Sequence, residues 1–182
     1  MQKQLVATLV GALILFIWQF LSWGLIPIHQ AEYGYTAGQD KIMEVLNQNL
    51  TESGTYMLPN VPPGTPHEAA EKSMESHAGK PWASISYHTS LDTSMGTNLL
   101  RGFAVDLLAA WLLVWLLLKF ETLQMRSALQ CSLAVGVIAY LTIPYLNSVW
   151  FKNDSIAHLI DAIGSWGLVG LWLGWWLPKR NG

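Results

Sequence analysis

The chain has 182 residues, of which 52% are hydrophobic and only 12% charged, with a formal net charge of −2. An average soluble domain carries about 25% charged residues, so the composition excludes an ordinary water-soluble globular domain. The scattered Lys and Arg exclude a basic nucleic-acid-binding face, and the lone cysteine, Cys131, excludes an intrachain disulfide.

Four apolar stretches dominate the chain: Leu5–Ile28, Leu99–Leu118, Ala128–Leu146 and Ile156–Leu177. Each has about the length a helix needs to cross a hydrocarbon core of roughly 30 Å. The first is far longer than the core of a cleaved signal peptide and is followed by Pro27, Ile28 and His29 rather than a small-residue cleavage site. It therefore reads as a retained helix. It carries a small or polar stripe of Thr8, Ala12, Leu15, Gln19 and Ser22. Trp18, Trp23, Trp150, Trp175 and Trp176 fall near the ends of the stretches, where an indole favours the headgroup layer.

Between the first two stretches lies a polar segment, residues 30–98, that reads as one small module. Thr36 to Gln39 resembles a capping box, with Ile42, Met43, Leu46 and Leu50 at helical spacing behind it and Gly54 ending the helix. Tyr56 to Leu58 is a short extended run, followed by a Pro- and Gly-rich turn. Thr65, Pro66 and Glu68 mark a second helix start, with Thr65 as N-cap and Gly79 as the stop. Ala83, Ile85, Tyr87, Thr89 and Leu91 then alternate with polar residues, as a half-buried strand does. The fold class expected is an all-α membrane protein: four transmembrane helices with a small extracytoplasmic α(+β) module. The divisions are residues 1–29, 30–98 and 99–182.

Charge sets the expected orientation. Lys3, Lys119, Arg126, Lys179 and Arg180 fall in the termini and the second loop, where Glu121 is the one acid. Short Lys- and Arg-rich segments stay inside, so both termini are expected in the cytoplasm. All five histidines, His29, His67, His77, His88 and His158, then lie outside.

The candidate site is a polar cluster at the outer helix ends: Gln19, Asp106, Tyr140, His158, Asp161 and Ser165. Ionisable residues inside membrane helices are costly and face the bundle. Either they form a proton-linked, metal or headgroup site, or they are hydrogen bonds that only fix helix order. Gly164, Gly167, Gly170 and Gly174 form a small-residue ridge for helix packing, within the chain or against a partner. His67 with Glu71, and His29 with His158, are weighed as metal or haem ligands. With no His-Glu-x-x-His pattern, neither pair makes a metal site or cofactor the expectation. No nucleophile elbow, P-loop or dinucleotide glycine pattern occurs.

The run from Gly11 to His29, with Phe16, Ile17 and Trp18, then Leu21, Ser22 and Trp23, then Pro27, Ile28 and His29, is one part of a resemblance. Glu52 to Tyr56 with Leu58 and Pro59, and Met95 with Gly96, are the others. Together they resemble a widespread group of small bacterial membrane proteins with no activity attached. The resemblance covers about the first 120 residues. It implies a bacterial cytoplasmic (inner) membrane location, and a first helix that precedes an external module.

The leading functional expectation is a non-enzymatic accessory or assembly subunit, in contact with lipid and with other membrane subunits or a second copy of itself. Two alternatives stand beside it. One is a small proton- or ion-coupled carrier using the outer Asp and His residues. The other is a membrane-embedded enzyme binding a cofactor or metal at the same cluster with His29.

Overall fold

The structure, a computed structural model, describes residues 2–178, so Lys179 and Arg180 lie outside it. In chain order its elements are α1 (Gln2–Phe20), α2 (Gln39–Asn49), β1 (Gly54–Leu58), α3 (His67–Ser76), β2 (Ala83–Tyr87), α4 (Met95–Leu117), α5 (Met125–Tyr140), α6 (Leu146–Phe151) and α7 (Ile156–Trp176). They form two compact units, Met1–Gly34 with Ser94–Gly182, and Tyr35–Thr93.

The first unit holds four helical segments long and apolar enough to cross a membrane: Gln2–Leu25, Met95–Leu117, Met125–Phe151 and Ile156–Trp176. The third runs past Leu146, where the apolar pattern ends. Pro144 has no N–H to donate, and a wide π turn at Leu141–Tyr145 absorbs the break so that α6 can continue. The segment stops at Lys152, whose φ of 54° is left-handed.

The helices pack in the order α4, α1, α7, α5, so α1 and α7 are the central pair. Ala7, Leu15, Leu113, Leu117, Val169 and Leu173 form the core between them. The central pair is antiparallel and also tied by indoles: Trp172 Nε1 donates to the Ala7 carbonyl at 3.4 Å and Trp176 Nε1 to the Lys3 carbonyl at 3.1 Å. The Trp176 N–H thus satisfies a carbonyl in the first turn of α1.

The glycine ridge of α7 is occupied within the chain. A Cβ on Gly164 would run into the Trp18 indole of α1. One on Gly170 would lie 2.8 Å from Ser132 Cβ and 3.0 Å from Leu129 Cα of α5. Gly174 faces Met125 in the same way, whereas Gly167 meets only Leu133 at an ordinary 3.6 Å. This close approach lets Ser132 Oγ reach the Trp166 carbonyl at 2.6 Å.

In the second unit β1 and β2 pair antiparallel, with Gly54 opposite Tyr87 and Leu58 opposite Ala83. Tyr87 is buried, and its hydroxyl donates to Asn47 Oδ1 at 2.8 Å, tying the sheet to α2. Several local boundaries differ from the sequence pattern. α2 ends at Asn49, and Gly54 opens β1 instead of closing the helix. Thr36 Oγ1 accepts from Gly38 N at 3.2 Å, a turn ahead of α2 and not a capping box. Thr65 spends its hydroxyl on the Pro62 carbonyl, leaving α3 without a side-chain cap. β2 ends before Leu91, which is 90% exposed. Neither α2 nor α3 has a fully buried residue, consistent with a unit too small for a large core.

Candidate functional site

The end of α1 is shaped by two residues. Pro27 has no N–H and pushes Ile26 into an extended conformation (φ −95°, ψ 123°). The helix therefore closes with a π turn, Ile26 N to Leu21 O at 2.8 Å, and a 3₁₀ turn over Pro27–Glu32 follows. That turn carries His29 back over the helix end. Its ring stacks on the Trp23 indole, centroids 3.9 Å apart and planes within 10°. In a 3₁₀ turn residues three apart eclipse, which aligns Glu32 with His29.

His29 is 5% exposed and has a carboxylate oxygen on each ring nitrogen. Nε2 lies 2.8 Å from Asp161 Oδ2 on α7, and Nδ1 lies 2.7 Å from Glu32 Oε1. The other oxygen of Glu32 faces His158 Nε2 at 3.4 Å. The two imidazoles meet edge to face with centroids 5.3 Å apart. Asp161 is held from the α1 side: Trp18 Nε1 donates to Oδ1 at 2.9 Å, and Ser22 Oγ, fully buried, sits 3.4 Å from Oδ2. His29, Glu32 and His158 thereby present three ligating atoms within 4.8 Å of one another. A cleft of about 330 Å³ lined by Trp23, Pro27, His29, Gln30 and Tyr33 lies beside them.

A neutral imidazole offers one donor and one acceptor. With Nε2–H given to Asp161, Nδ1 would turn a lone pair toward the Glu32 carboxylate at hydrogen-bond distance. The contact is attractive only if a positive species lies between them. Burial works against a charged His29 ring, but the hydrogen bonds and negative charges of Asp161 and Glu32 more than offset it and raise the pKa above its ordinary value.

The predicted cluster divides into three. Asp161 and His158 join His29 and Glu32. Gln19 and Asp106 form a separate pair, Gln19 Nε2 donating to Asp106 Oδ1 at 3.0 Å. Asp106 is 4% exposed, and its Oδ2 has no partner among the described residues. Gln19 also lines an apolar groove between α1 and α4 with Phe16, Leu99 and Gly102. Tyr140 belongs to neither group: its hydroxyl meets Ser155 Oγ at 3.1 Å. Ser165 donates to the Asp161 backbone carbonyl at 2.6 Å, so its side chain does not touch the carboxylate.

Glu32 enters the site without having been marked in sequence, while Trp18 and Ser22, marked only as an end-of-span indole and as part of a polar stripe, enter it as partners of Asp161. The i, i+3 spacing of His29 and Glu32 just past a proline was the available signal. The sequence pattern gave no expectation of a metal site, whereas the geometry assembles a potential ligand set. The other weighed pair, His67 and Glu71, are 3.5 Å apart but fully on the surface, at 87% and 66% exposure. Comparison with family models, curated proteins and solved structures finds no match to this chain.

Proposed function

We propose that this is an integral membrane protein whose working centre is a cation-binding site built from His29, Glu32, His158 and Asp161 at one end of the central helix pair. The observation that carries this reading is the His29 ring with carboxylate oxygens 2.7 and 2.8 Å from its two nitrogens. Such a pair of contacts needs a proton or metal ion beyond the one N–H of a neutral ring. Two carboxylates and two neutral imidazoles carry a combined charge of −2, which two protons or one divalent cation would neutralise. The placement of Lys3, Lys119 and Arg126 on the opposite side supports an orientation with both termini cytoplasmic and the centre, with residues 30–98, facing outward. The bacterial inner membrane is the location this reading adopts.

Thermal unfolding of the purified protein across a series of pH values and a panel of mono- and divalent cations tests the reading. Stabilisation that depends on proton or cation, and that disappears in His29→Gln and Glu32→Gln, is the expected result. Identical responses in wild type and both variants would overturn it. The cluster would then be an inert helix lock, and the accessory-subunit role would become the reading to pursue. Native mass spectrometry from the protein's own membranes would test that role.

A further inference from the structure

We infer that the cation held at this centre is a divalent first-row transition metal of the zinc type, ligated by His29 Nδ1, the Glu32 carboxylate and His158 Nε2. This rests on the cation-binding reading and names the ligand class for it. Imidazole nitrogens select zinc, copper, iron and nickel, whereas calcium and magnesium take oxygen shells. Two imidazoles and one carboxylate are three protein ligands, the number that leaves a fourth position for water or a substrate.

The distances fit. Ligand atoms about 2.1 Å from a tetrahedral zinc stand about 3.3–3.4 Å from one another, and His158 Nε2 to Glu32 Oε2 is already 3.4 Å. His29 Nδ1 to Glu32 Oε1, at 2.7 Å, is a hydrogen-bond distance. A metal replacing the proton there requires the pair to open by about 0.6 Å. One ligating atom from each of His29, Glu32 and His158 lies within 4.8 Å of the other two. Asp161 completes the arrangement without being a ligand. Its Oδ2 lies 2.8 Å from His29 Nε2, so with Nε2–H donated to it the ring takes the tautomer that leaves Nδ1 for the metal, and a carboxylate in that position raises the basicity of the ligand. Trp18 and Ser22 in turn hold Asp161.

The test loads Zn²⁺, and Co²⁺ as a spectroscopic probe, into full-length protein purified without a polyhistidine tag, with bound metal counted after dialysis. One equivalent, with visible Co²⁺ d–d bands, is expected in the wild type. His29→Asn, Glu32→Gln and His158→Asn should each lose it, while the surface variant His67→Asn retains it. Asp161→Asn should still bind, with affinity weakened about 10–100-fold. Binding unchanged across the three ligand variants would overturn the assignment. A wild type that ignores Zn²⁺ and Co²⁺ but is stabilised by protons or Mg²⁺ would overturn it too, leaving the broader cation reading standing. Should a ligand variant fail to fold, X-ray absorption of the zinc-loaded wild type decides. Two imidazoles in the shell support the site, and an all-oxygen shell overturns it.

Discussion

His29 and Asp161 meet across 132 residues of chain, with Nε2 of the ring 2.8 Å from Oδ2 of the carboxylate. The contact joins the turn that closes α1 to the second turn of α7, so it reports directly on the packing of the central pair. Trp18 on α1 and Ser22 in the π turn that closes it converge on the same carboxylate. A carboxylate that accepts from several donors is worth more than the sum of its exposed equivalents, because each donor would otherwise lose its partner in a partly dry site.

Asp161→Ala should therefore be far more damaging than Asp106→Ala. The first leaves the Trp18 N–H and the His29 ring without their acceptor, and about 2–4 kcal/mol of stability should go. The second removes a carboxylate with one bond to exposed Gln19 and one unpartnered buried oxygen. A change within about 1 kcal/mol is expected there. Denaturation of both variants in the same detergent gives the comparison.

Metal-free protein should lose stability with rising pH. The His29 pKa is raised in the folded state. Its contribution is therefore full below about pH 6.5, the unfolded value, and is lost as pH climbs through the folded value. Melting curves recorded in chelator from acid to alkaline pH should show this fall in the wild type, and a flatter profile in His29→Gln.

Gly170→Ala and Gly167→Ala lie on the same helix and should behave differently. At Gly170 the new methyl lands 2.8 Å from Ser132 Cβ and 3.0 Å from Leu129 Cα, so α5 and α7 must separate, at about 1–3 kcal/mol. At Gly167 the nearest atom is 3.6 Å away and the helix gains a better former. Equal melting temperatures for the two would mean that the two helices do not approach this closely.

Trp18→Phe keeps a ring against Gly164 but removes the N–H that holds Asp161 Oδ1 at 2.9 Å. A loss of about 1.5–3 kcal/mol follows for a hydrogen bond to a charged acceptor. Trp150→Phe, at a position 73% exposed, is the matched control and should change little.

The sequence by itself determined the four spans and the residue types at their ends. A run of apolar residues long enough to cross a bilayer is a one-dimensional property, but its ends are not: the first helix stops at Leu25 rather than Ile28, ahead of extended Ile26 and Pro27, and the third continues past Leu146 to Phe151 through a π turn that absorbs Pro144. Asp161 and His158 stood out because charge inside an apolar helix is expensive wherever the helix packs. Their partners were decided by tertiary structure. Tyr140 shared their depth yet bonds Ser155, and Asp106 bonds Gln19, because helix order and rotation follow from interlocking surfaces such as Gly170 on Ser132. Glu32 reached the site only because the turn after α1 folds back, a consequence of Pro27 and of the Trp23 ring on which His29 rests. Apolar length records what must leave water, while the meeting of two distant side chains depends on how the helices that carry them are turned against each other.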